Sequence, residues 1–288
     1  MLETLDERTR RTLEDALVRR AARAGWRPAA PSQQLINEVQ SFVAAARRVG
    51  HAEPGEYDDY LRASIKAAMA GDHETAKATL ETLLDPLTDG DIDLGQDEMV
   101  DEVLSVSLHD CAARYAAAVY LTAPLPDRAD ALFSALTGAG RVTYWGEPLG
   151  ALEQALGGAL PDGDRFLPAW IARLEREQPR AGEESERWLR EAVARSEGLA
   201  GLARLARSSR RGEALQAWCD ATVVAGDWAV ALAAYEEAAA TVTAADKFWR
   251  GDFLDGAALA ARELGRKDAT RKLEAAWLTG LRRSPRRR

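Results

Sequence analysis

Residues 217–239 read AWCDATVVAGDWAVALAAYEEAA. The pattern predicts two amphipathic helices joined by a tight turn at the dipeptide Gly226-Asp227. Trp218 and Thr222 fall on the first helix. Trp228, Ala231, Tyr235 and Ala238 fall on the second, at spacings of three, four and three that put them on one face. Gly226 reads as the small residue that lets the helices cross closely, with the large side chains filling the seam. Such a pair cannot bury its apolar face alone and needs neighbours.

This stretch resembles one tetratricopeptide repeat. The resemblance implies an all-α, tetratricopeptide-like (TPR-like) solenoid of irregular antiparallel helix pairs, a fold whose usual task is to hold another molecule. Two other stretches carry part of the pattern. Residues 56–70 and 73–84 turn at Gly71-Asp72, with Ala76, Leu80 and Leu83 in the places of Ala231, Tyr235 and Ala238. There Ser64 and Met69 depart from the bulky and small residues of the repeat's first helix. Residues 257–276 turn at Leu264-Gly265-Arg266 and continue with Ala269, Leu273 and Ala276, one residue short across the turn. Residues 50–87 and the acidic loop after them also resemble the helical regions that accompany SWIM zinc-finger modules in bacterial proteins. The Cys-x-Cys and Cys-x-His ligands of that finger are missing, so this resemblance implies a bacterial helical family and no activity.

Composition agrees with a helical fold. A chain of 288 residues, 47% hydrophobic and 29% charged, can bury a substantial core. Ala, Leu, Arg and Glu dominate, and all are good helix formers. No run of about 18 uncharged apolar residues occurs, so no membrane span is expected. The first twenty residues lack an apolar signal core and predict a helix, not a targeting peptide. Cys111 and Cys219 sit in apolar helical sequence, as buried free thiols of a cytoplasmic protein would.

Further helices are expected over 4–24, with Leu5, Leu13 and Leu17 on the inner side, and after a Ser32 cap, with Leu35, Ile36, Val39, Phe42 and Val43 on one face. Residues 96–121 predict one long helix or two short ones. Residues 166–178 carry the buried stripe Phe166, Leu167, Trp170, Ile171 and Leu174. The stretch 157–164, GGALPDGD, is the most linker-like in the chain. It divides an N-terminal lobe, 1–157, from a C-terminal lobe, 158–288, as separate domains or as parts of one continuous solenoid.

Chemical motifs are weak. Glu98, Glu102 and His109 would lie within about 40° of one another on a single helix, a metal-like set. Val100, Val103, Leu104 and Cys111 take the opposite side, which makes the Glu/His face a solvated one. The acidic run Asp89 to Gly95 has Leu94 and Val100 where a calcium loop needs Gly and Glu, and reads as a connector. His109, Asp110 and Cys111 are adjacent on a helix and point apart. No cofactor is expected.

Binding candidates are better supported. Trp170, Trp188, Trp218, Trp228 and Trp277 occupy seam positions. Trp145, beside Tyr144, and Trp249, beside Phe248 and Arg250, fit the stripes less well and are candidate partner anchors. Asp58, Leu61, Ile65, Gln216 and Asp220 hold the repeat positions that would line a concave face. The net charge of −8 disfavours nucleic acid, except through Arg282, Arg283, Arg286, Arg287 and Arg288 at the end of the chain. The expected function is a non-catalytic adaptor or scaffold for a protein or peptide. A metal-dependent or small-molecule enzyme around Glu98, Glu102 and His109, and a nucleic-acid-linked regulator using the arginine tail, are the alternatives.

Overall fold

The computed structural model describes residues 7–28, 30–95, 100–177, 183–243, 248–268 and 271. Among these the secondary structure is twelve α-helices and two short 3-10 turns, with no strand beyond an isolated bridge. No helix among them is long and apolar enough to cross a membrane. Two compact units divide the chain, Met1–Arg173 and Leu174–Arg288.

The first unit begins with α1 (Glu7–Arg23), α2 (Gln33–Val49), α3 (Pro54–Ala70) and α4 (His73–Asp89). Their ends are written locally. Ser32 accepts from the Leu35 N–H to start α2, and Gly50 stops it at φ 74°. Gly71 stops α3 at φ 83°, and Asp72 caps α4 through the Thr75 N–H. Helices α2 and α3 both pack on α4, which in turn packs on α5 (Leu108–Thr122). Ten of the fifteen residues of α5 are buried, which marks it as a central helix covered on most sides. Around it lie α6 (Arg128–Thr137), a 3-10 turn (Ala139–Val142) and α7 (Pro148–Leu156).

Helix α8 (Gly163–Arg176) carries the unit boundary in its last turns. The division therefore falls after Arg173 and not at the glycine-rich stretch. That stretch is tied into the first unit, because the Pro161 carbonyl accepts from the Tyr120 hydroxyl at 2.6 Å and Asp162 pairs with Arg128 at 3.5 Å. Phe166 then meets Tyr120 edge-on at 4.9 Å and stacks on Trp170 at 5.9 Å.

Helix α1 corrects the sequence reading. Leu13 and Leu17 are exposed, whereas Glu14, Val18 and Ala21 are half-buried. The face turned to α3 is therefore rotated by one residue, about 100°. The Glu14 carboxylate holds Lys66 of α3 at 2.7 Å.

In the second unit, α9 (Glu184–Ser209), α10 (Gly212–Val224), α11 (Trp228–Thr241) and α12 (Trp249–Glu263) pack in chain order. Gly198 interrupts α9 with non-helical backbone. The expected turn is present: Gly226 has φ 75°, and Asp227 accepts from the Ala229 and Val230 N–H groups. The reason for that glycine differs from the expected one. A Cβ at Gly226 would meet nothing within 4 Å, so backbone conformation requires it, not helix crossing. Close approach occurs elsewhere. A Cβ on Gly212 would land 2.0 Å from the Trp249 ring, and one on Gly256 would land 2.3 Å from the Tyr235 ring. In the stretch 257–276, Gly265 turns the chain at φ 67° as expected, while Ala269, Leu273 and Ala276 lie outside the described residues.

Candidate functional site

A concavity of the first unit lies between α2 and α3. Helix α2 carries two parallel stripes. Val39, Val43 and Ala46 are buried toward the core. The adjacent stripe, Glu38, Phe42, Ala45 and Val49, spaced by four, three and four, faces the concavity. Val49 is 75% exposed. Opposite it, Glu53, Glu56 and Tyr60 form the second wall. The groove has a volume of about 790 Å³, and Phe42 and Tyr60 meet across its floor with ring centroids 4.8 Å apart.

Among the described residues Glu38, Glu53 and Glu56 line the groove, and no Lys or Arg does. The Tyr60 hydroxyl registers this: its pKa is raised, first by burial and then by the negative charges of Glu56 and Glu38. His51, 4.0 Å from Glu53, closes one end.

The loop after α4 braces that end from behind. Asp93 pairs in a short parallel bridge with His51, the Ala52 N–H donating to Asp93 and the Asp93 N–H to Gly50. Ile92 and Leu94 point inward, and Asp91 holds Arg47 of α2 at 3.3 Å. The alternating acids are thus the outer face of an extended strap, with buried apolar residues between them.

Several candidate residues serve internal purposes. Asp58 is buried, and its carboxylate accepts from the Ser105 N–H at 2.8 Å, the Val106 N–H at 3.1 Å and the Arg62 Nε at 2.8 Å, besides the Ser105 hydroxyl. Burial alone would raise its pKa. The hydrogen bonds from Ser105 and Arg62 outweigh that and hold it below the usual carboxylate range. Asp58 therefore clasps the loop before α5 onto α3 and does not line a concave face. Leu61 is fully buried in the core, and Ile65 is half-buried.

Trp145 is likewise a core residue and not an exposed anchor. It is fully buried, and its indole N–H donates to the Gly140 carbonyl at 2.9 Å. Its neighbour Tyr144 is 60% exposed. In the second unit Gln216 donates to the exposed Asp220 at 2.5 Å, and the Tyr235 hydroxyl reaches the same carboxylate at 3.5 Å. Trp249 is half-buried, lies over Gly212 and stacks on Phe253.

The metal-like set does not share a helix. Glu98 lies outside the described residues. Glu102 ends a 3-10 turn (Val100–Glu102), and a new helix starts at Leu108 after the Ser107 cap, so Glu102 and His109 belong to different elements. The His109 ring sits 3.3 Å from the Thr143 hydroxyl and 5.5 Å from the Trp145 ring centroid. No group of three or more His, Cys, Asp or Glu residues placed to hold a metal occurs among the described residues. Both cysteines are buried free thiols, and burial, with the charge of Asp220, pushes Cys219 up to about 12. The arginine tail and Trp277 lie outside the described residues.

The sequence places Phe42 on one apolar face with Leu35, Ile36, Val39 and Val43, and leaves the other groove residues unmarked. A signal was present: α2 carries a wider apolar arc than one buried stripe needs. No protein-family model matches this chain, and no curated protein or solved structure is significantly similar to it.

Proposed function

We propose that this chain is a non-catalytic adaptor, a TPR-like solenoid of irregular antiparallel helix pairs that offers the α2–α3 groove to a protein partner. The observation that carries this reading is the groove itself: an apolar floor with a solvent-exposed Val49 at one end. An apolar cleft rimmed by polar side chains is a common form of binding surface. Buried free thiols suit a reducing cytoplasm, where we place the protein.

Affinity capture with tagged protein tests the reading. Native chain and the Val49→Asp variant would be compared from the same lysate, with mass spectrometry of what co-purifies. A stoichiometric protein held by the native chain and released by the variant is the expected result. Equal capture by both would move the binding surface elsewhere and sink the groove as the site.

A further inference from the structure

We infer that the α2–α3 groove takes one face of a basic amphipathic helix from a partner protein, an inference that rests on the adaptor reading and specifies its partner. Three observations lead there. The first is length. From Glu38 to Val49 the exposed stripe of α2 runs eleven residues, about 16 Å at the rise of an α-helix, or three turns. Side chains at every third or fourth position of a docked helix match that run, as in other helix-in-groove contacts.

The second observation is the kind of wall. The long walls are the helices α2 and α3, with only the short extended segment from His51 to Glu53 joining them at one end, so most of the groove offers no strand edge to an extended peptide. What is offered is side-chain relief. Phe42, Ala45 and Val49 stand on one side and Tyr60 on the other, suited to small and medium apolar side chains packing as ridges into grooves.

The third observation is charge. Glu38 rims one wall, and Glu53 and Glu56 the other. Lys or Arg residues flanking the apolar stripe of a docked helix would meet acids on both sides, and the Phe42 and Tyr60 rings add faces that attract cations. A second copy of this chain would instead set these glutamates against one another across a two-fold axis, and like charges in register oppose such a dimer. An acidic helix meets the same repulsion.

Fluorescence anisotropy on the full chain tests this with two labelled 18-residue amphipathic peptides, one of Lys and Leu, the other of Glu and Leu with the same spacing. The Lys peptide is expected to bind at least about tenfold more tightly than the Glu peptide, because the acidic rim favours one and repels the other. Glu38→Lys with Glu56→Lys should weaken the Lys peptide by about tenfold or more, and Val49→Asp should do the same through the floor. All three positions border solvent, and circular dichroism would confirm that the variants stay folded. Reversing two exposed acids outside the groove, Asp127→Lys with Glu263→Lys, should leave affinity within about twofold.

Each other pattern overturns the inference in its own way. Equal loss in both charge-reversed proteins would mean attraction to net charge and not to the groove. Binding of the Glu peptide that Val49→Asp abolishes would keep the groove as an adaptor site while removing its basic specificity. A dimer seen by sedimentation and dissolved by Val49→Asp would make a second copy the occupant. Failure of both peptides, with a captured protein still lost on Val49→Asp, would assign the groove a partner of different chemistry. Failure of both, with capture unchanged by Val49→Asp, would remove the groove as a binding site and place the partner on another surface.

Discussion

The hairpin α3–α4 turns at Gly71-Asp72, and the hairpin α10–α11 turns at Gly226-Asp227. Both glycines adopt left-handed backbone, at φ 83° and 75°, and both aspartates cap the helix that follows. Beyond the turn the two hairpins diverge. Asp72 also accepts from the Ser32 N–H at 3.3 Å, which links the start of α4 to the start of α2, and the Arg27 side chain lies over Gly71. Asp227 is exposed and serves its own helix. The seams differ as well. Helix α4 buries Leu80, Leu83 and Leu84 among several helices, while α11 buries chiefly alanines, with Tyr235 lying over Gly256 of α12. One turn chemistry thus supports two ways of filling a seam, by large side chains or by close approach of small ones.

That contrast makes opposite substitutions harmful in the two places. Leu80→Ala in α4 is expected to cost about 3 kcal/mol, because a fully buried leucine leaves a cavity behind. Urea unfolding followed by tryptophan fluorescence reads this directly, and a loss below about 1 kcal/mol would mean that the α4 seam collapses to refill itself. In the other hairpin the damaging change is an added methyl. Gly256→Ala is expected to cost about 2 kcal/mol through overpacking, since its Cβ meets the buried Tyr235 ring and not a flexible chain end. If that variant proves neutral or stabilising, the close approach of α11 and α12 is not a constraint.

Two aspartates sharpen the comparison further. Asp58→Asn on α3 is expected to cost about 2 kcal/mol at neutral pH, because buried donors lose a charged acceptor. Asp220→Asn on α10 should cost less than about 0.5 kcal/mol, its carboxylate being exposed. The two should also part with pH. The folded pKa of Asp58 lies below its unfolded value of 3.8, so its contribution is complete above that value and disappears as pH falls through the lower folded pKa. The difference between native chain and Asp58→Asn should therefore narrow below about pH 4. A constant difference across an acid titration would show that the carboxylate charge is not what holds the loop.

The smallest expected difference concerns the caps. Asp227→Ala should cost about 1 kcal/mol, the ordinary value of a lost N-cap. Asp72→Ala should cost at most about 0.5 kcal/mol more, since it also removes the longer, 3.3 Å branch of a shared bond from the Ser32 N–H, which keeps its 2.7 Å bond to the Thr75 hydroxyl. Equal losses, measured side by side in calorimetry, would mean that the Thr75 hydroxyl alone carries the link from α4 to α2.

Features set by residues close in sequence are legible there, and features set by distant residues are not. The helices after Ser32, Asp72 and Asp227 begin where capping chemistry places them. Buried stripes such as Phe166 with Trp170, and Ala231 with Tyr235 and Ala238, follow the helical period. Trp145 belongs to no periodic stripe, so only its hydrogen bond to Gly140 and its buried surroundings reveal its place. The place of Asp58 is hidden from the sequence for a related reason. A carboxylate on a helix looks solvated until the loop 47 residues away folds over it.

The sequence by itself determined an all-helical chain, its turns and its caps, because hydrogen bonds over three or four residues and the left-handed freedom of glycine are settled within each segment. Tertiary structure alone decided which stripe of each helix is covered. It turned Leu13 and Leu17 of α1 outward, drew Asp58 inward, bound the glycine-rich stretch before α8 to Tyr120 and Arg128, and left the second stripe of α2 open as a groove. Burial depends on what arrives from tens of residues away, and an amphipathic period specifies that a face will be covered without specifying by what.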